Sequence, residues 1–95
     1  MFLSTYTFDG DPAELAAAHD RMRSEFPPDA FALHIAVVTA TGIVVFDACP
    51  DRATFEAFHV SPGFQDAIAA AGLPRPRVEP LGEVHSLAVR QEVAR

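Results

Sequence analysis

Residues 30–49 read AFALHIAVVTATGIVVFDAC, two runs of β-branched and apolar residues around Ala40-Thr41-Gly42. Val, Ile, Phe and Thr favour a pleated strand, and the interruption is too short for anything but a hairpin. The pattern predicts strands over 30–39 and 43–49. A two-residue turn at Thr41-Gly42 then pairs Val38 with Val45, Ala36 with Asp47 and His34 with Cys49. One face of the hairpin carries His34, Ala36, Val38, Val45, Asp47 and Cys49. The other carries Leu33, Ile35, Val37, Val44, Phe46 and Ala48. Neither resembles a water-facing surface, so both are expected to be buried, one of them by something outside the chain.

The flanking elements complete the fold class. Phe2 to Phe8 alternates in strand period and is broken by Asp9-Gly10. Asp11-Pro12-Ala13-Glu14 has the residues of a helix start: a capping Asp, a Pro at the first helical position and a Glu that completes a capping box. Leu15, Ala18, His19, Met22 and Phe26 form the apolar stripe of that helix, which Pro27-Pro28 ends. A second helix opens at Pro50-Asp51 and bends or restarts at Ser61-Pro62-Gly63. It continues through Phe64, Ile68 and Ala71 to a C-cap at Gly72. A last strand is expected over 78–89, with Pro80 and Gly82 marking a bulge or an edge position. The order is βαββαβ, a ferredoxin-like α+β fold: an antiparallel four-stranded sheet with two helices on one face. The domain spans residues 1–90, and residues 91–95 form a C-terminal tail expected to be disordered.

Composition narrows the function classes. The net charge is −6, and all seven basic residues are scattered Arg with no Lys. Phosphate binding needs clustered cations, so nucleic acid and anionic membranes are excluded as partners. No apolar run approaches the ~20 residues of a membrane span. The N-terminal stretch lacks the basic segment of a signal peptide, and Cys49 has no disulfide partner, so a cytoplasmic address is expected. At 95 residues with 49% apolar content, the chain is short for burying so much apolar surface alone, which argues for a second copy.

Residues 42–58 (GIVVFDACPDRATFEAF) resemble the G-hydrophobic-x-V-x-D-x-W-x-S-x-x-x-F-x-x-F stretch of the dimeric α/β-barrel superfamily, which includes the antibiotic biosynthesis monooxygenases. His34 on the preceding strand and Val84-His85 on the last also fit small members. The resemblance implies a homodimer whose two sheets form a barrel, with a pocket in each subunit between sheet and helices. It further implies chemistry without a cofactor on aromatic or polyketide-like metabolites. The chain departs from the pattern where Cys49 replaces the pocket Trp, so no role of that ring carries over.

His34 and Asp47 are the leading candidates for chemistry. They share one hairpin face at diagonal reach, and two ionisable groups in an apolar layer suit general acid/base work or, alternatively, a structural polar pair. His85, with Glu83 two residues away, and Tyr6, the single phenol, are accessory catalytic candidates. His19 and His59 lie on the helices' apolar stripes and, with Cys49, Phe55, Phe58 and Phe64, are expected to line the ligand site. The His spacing lacks an i,i+4 or His-x-His pair, so neither a metal nor another cofactor is expected. The resulting expectation is a cofactor-independent oxygenase, isomerase or cyclase acting on a small apolar or aromatic metabolite. The alternative is a non-catalytic dimeric module that binds a metabolite or a protein.

Overall fold

The computed structural model describes residues 1–27 and 29–90. Its elements are β1 (Phe2–Asp9), α1 (Pro12–Arg23), β2 (Leu33–Thr39), β3 (Gly42–Cys49), α2 (Arg52–His59), α3 (Pro62–Ala71) and β4 (Arg77–Glu83). The strands form one antiparallel sheet in the order β2-β3-β1-β4. This is the ferredoxin-like order, because each helical crossover skips a neighbouring strand.

Local chemistry explains the helix ends. Asp11 accepts the Glu14 N–H at 2.9 Å, with Pro12 at the first helical position. No reciprocal bond from the Glu14 side chain appears among the hydrogen bonds of the described residues, so only half of the expected capping box is present. Asp51 caps α2 through the Thr54 N–H and hydroxyl, both at 2.8 Å. These bonds hold its carboxyl below the usual range. Ser61 caps α3, so the chain restarts a helix at Ser61-Pro62 instead of bending one. Gly72 ends α3 in the left-handed region at φ 85°.

The helices cover the sheet face that bears Phe2, Tyr6, Phe8, Ile43, Val45 and Cys49. These pack with Leu15, Ala18, Met22, Phe55, Phe64, Ile68 and Leu73 into one core. The opposite face carries Leu3, Val44 and Phe46, half-buried, and Ile35 and Val37, exposed.

Three expectations are corrected. The hairpin turns at Ala40-Thr41, not Thr41-Gly42: Thr39 pairs with Gly42, and the register is Val38–Ile43, Ala36–Val45, His34–Asp47. Gly42 belongs to the strand because a Cβ there would lie 2.0 Å from the Phe8 carbonyl oxygen. The slip is two residues, so each side chain keeps its face. Next, β2 starts at Leu33 instead of Ala30. The Ala30 N–H bonds the Pro27 carbonyl in a turn, leaving Phe31 in the connection. Finally, β4 ends at Glu83 instead of Val89: Glu83 pairs with Phe2 at the start of β1, and the Val84 N–H bonds the Met1 carbonyl just past that pair. The irregularity in β4 falls where Pro80 faces Ser4 and Gly82 faces Leu3, leaving Leu81 as the extra residue on an edge strand. Of the expected tail, residues 91–95 lie outside the described residues.

Candidate functional site

The corrected register puts His34 directly opposite Asp47 on the helix-facing side of the sheet. His34 Nδ1 lies 2.5 Å from Asp47 Oδ1, with the side chains 14% and 5% exposed. Asp47 holds the proton of the ring on Nδ1, as a carboxylate does for an imidazole it orients. The other ring nitrogen is engaged as well: His34 Nε2 stands 2.9 Å from His19 Nε2 of α1. His19 Nδ1 in turn lies 3.2 Å from Asp20 Oδ1, whose side chain is 82% exposed. Asp47, His34, His19 and Asp20 thus form a line from beneath the helices to water.

A wall of rings runs beside this line. Phe31 stacks on His34 with centroids 5.7 Å apart and an interplanar angle of 28°. Phe58 meets Phe31 edge-on at 5.4 Å, Phe64 lies 4.6 Å from Phe58, and Tyr6 lies 5.3 Å from Phe64. Tyr6, Phe8, Met22, Val45, Asp47 and Phe64 enclose a cavity of about 10 Å³, the space of roughly one water.

Among the described residues the buried Tyr6 hydroxyl has no hydrogen-bond partner. Burial pushes its ionisation well above the usual phenol range, and Asp47 adds to the shift. The Ser4 hydroxyl opposes it but donates to the Asp47 backbone carbonyl at 3.5 Å. Tyr6 is therefore a protonated donor lacking an acceptor, which costs stability. Tyr6→Phe should leave the fold as stable as the wild type or more stable by about 1 kcal/mol, measured as the urea midpoint. A loss of that size would show the hydroxyl to be satisfied in solution.

The remaining candidates sit elsewhere. Cys49 pairs with Phe2 at the far end of β3. Burial, reinforced by Asp47 and Asp51, raises its thiol, which makes it a poor nucleophile. Phe55 packs on Phe2 at 5.5 Å, and His59 stacks on Phe55 at 4.8 Å. These three therefore form a second cluster around Phe2. His85 is exposed past the end of β4. Among the described residues no group of three His, Cys, Asp or Glu side chains converges as a metal site would need.

The sequence alone does not join His19 to His34: it puts His19 on the apolar stripe of the first helix and leaves open which hairpin face the helices cover. Periodicity gives a face, not which positions on two elements meet. Phe31 was missed because a strand starting at Ala30 assigns it to the opposite face.

No protein-family model matches the chain, and no curated protein matches it. A solved structure from Deinococcus radiodurans, provisionally named an antibiotic biosynthesis monooxygenase, superposes with a TM-score of 0.64 at 12% identity. The alignment covers 95% of this chain and 99% of that one. The likeness establishes the ferredoxin-like α+β fold, shared over nearly the whole length of both chains, as expected from the order of the elements.

Proposed function

We propose that this chain is a cofactor-independent proton-transfer enzyme for a small apolar or aromatic, polyketide-like metabolite, working as a cytoplasmic homodimer. The buried Asp47–His34 contact at 2.5 Å carries the proposal. Asp47 fixes the tautomer in which Nε2 is the basic nitrogen, and low exposure strengthens every charge interaction around it. The Phe31–Phe58–Phe64 wall offers an apolar surface to a planar substrate. Tyr6 offers a donor for a substrate oxygen. Isomerisation and cyclisation need only this equipment, and oxygenation of an electron-rich ring begins with the same deprotonation.

Among the described residues the layer between sheet and helices is closely packed, and the cavity beside Tyr6 and Asp47 measures about 10 Å³. A substrate therefore enters by displacing Phe31, which sits in the connection between α1 and β2. This closed packing is also the observation that favours the second reading, a non-catalytic dimeric module.

The test is a titration of aromatic and polyketide-like metabolites into the protein, followed through the imidazole and Phe ring resonances. The proposal expects His34 and Phe31 to shift together. Binding confined to the open groove lined by Arg21, Glu25, Asp66 and Ala70 would remove His34 from the site. No binding at all would favour the non-catalytic module.

The homodimer rests on the uncovered sheet face. Ile35 and Val37 are 46% and 41% exposed there, next to Leu3, Val44 and Phe46. Such a contiguous apolar surface is an association site in a soluble chain. Phe46→Asp should weaken the dimer at least a hundredfold, about 3 kcal/mol, since an unpaired charge would be buried in the contact. Analytical ultracentrifugation reads the shift from about twice the 10.2 kDa chain mass towards one. A wild type that is monomeric at micromolar concentration would end the dimer reading.

A further inference from the structure

We infer that His19 and His34 hold a single proton between their Nε2 atoms, so that the imidazole pair, and not His34 alone, is the acid–base unit of the site. The inference deepens the proton-transfer reading and rests on it for its use. His19 becomes a positioning residue that acts through His34.

The geometry selects a proton as what lies between the rings. The two nitrogens are 2.9 Å apart, the ring centroids 5.1 Å apart, and the planes differ by 15°. The centroid separation equals the nitrogen contact plus one ring radius at each end, so the rings are coplanar and meet head-on. A metal held by two imidazoles at about 2.0–2.1 Å from each nitrogen would sit at an apex off that line. Here the nitrogens face each other instead, as they do in an N–H···N hydrogen bond.

Proton counting fixes the state that closes the network. Each Nδ1 faces a carboxylate, at 2.5 Å for Asp47 and 3.2 Å for Asp20, and carboxylates only accept. Two Nδ1–H groups and one bridging proton make three protons on four nitrogens. A neutral pair has two protons and must leave one of the three contacts unmade. A doubly protonated pair sets two N–H groups against each other. One extra proton on the pair satisfies all three. The charged and titratable groups around it are Asp20 and, one turn along α1, Arg23; Asp47 of β3; and Tyr6 of β1.

The arrangement works as a relay. When His34 Nδ1 gives its proton to Asp47, the bridging proton passes to His34 Nε2. Both imidazoles are then neutral and Asp47 is the acid, beside the Tyr6 cavity. The position left empty is His34 Nδ1, so the pair is refilled from the Asp47 side: when Asp47 takes a proton from substrate it passes it to His34 Nδ1, and the proton on His34 Nε2 returns to the shared position. The pair thus lends one proton to Asp47 and takes one back, holding three protons at rest and two while Asp47 is the acid.

The test is long-range proton–nitrogen correlation of the histidine rings in the 15N-labelled full chain, followed across pH. The expected result is a pH range in which both Nδ1 atoms are protonated. In that range the two Nε2 atoms should have shifts between the protonated and free values and share a scalar coupling through one proton. His19→Gln should abolish the coupling and leave His34 with the signature of a single imidazole. If that variant does not fold, the wild-type coupling decides alone. Independent titration of the two rings with no coupling at any pH would overturn the inference. So would stoichiometric binding of added Zn²⁺ by both Nε2 atoms of the pair in preference to the proton. No substrate enters this measurement, so it separates from the enzyme reading. A coupled pair that no metabolite perturbs keeps the relay and removes the enzyme, and metabolite shifts at an uncoupled His34 do the reverse.

Discussion

Gly42→Ala should lower stability by about 4 kcal/mol or more, or prevent folding. Gly42 has φ +156°, where an added Cβ would stand 2.0 Å from the Phe8 carbonyl oxygen and 3.0 Å from its carbon. Both atoms belong to the backbone of β1, which pairs with β3 along its full length. The clash cannot be relieved by turning a side chain. The sheet must open between Phe8 and Ile43, two of the most deeply buried residues of the core. A domain of this size has about 5–15 kcal/mol in all, so a loss of this order is most of its stability. Gly63→Ala is the control. An added Cβ there meets nothing within 4 Å, and Ala is the better helix former by up to about 1 kcal/mol. Urea unfolding of the two variants should differ in sign. Equal midpoints would mean that the β1–β3 register differs in solution.

His34→Ala should lower turnover of any metabolite found to bind by a factor of about 10²–10⁴, the usual cost of a general acid/base. Ala removes both contacts of the ring, to Asp47 and to His19. Asp47→Asn should cost at least as much, because Asn cannot take the His34 Nδ1 proton and pass it to substrate. Oligomeric state should be unchanged in both, since His34 and Asp47 are on the helix-covered face and not on the face with Ile35 and Val37. Full turnover in His34→Ala would end the proton-transfer mechanism. A loss in Asp47→Asn well below that in His34→Ala would make Asp47 an orienting group and His34 the reacting one.

The sequence by itself determined the sheet. Alternation along Phe2–Phe8 and through the hairpin assigned each side chain to a face, and those assignments survived a two-residue error in register because the strand period is two. The helix starts were equally legible: Asp11-Pro12, Asp51 and Ser61-Pro62 carry their capping chemistry within three residues. His34 and Asp47 could be placed in one desolvated layer for the same reason.

Only the tertiary structure decided what depends on two elements meeting. Gly42 belongs to β3 and not to the turn because Phe8, thirty-four positions earlier, leaves no room for a Cβ. β4 stops at Glu83, opposite Phe2 where β1 starts, although the sequence remains strand-like to Val89. His19 reaches His34 because α1 lies across β2 at that one height, a matter of packing between helix and sheet. Periodicity fixes which side a residue faces, through local sterics. How far along its neighbour it lands is set by the packing of the whole core, and the candidate site lies at one of those landings.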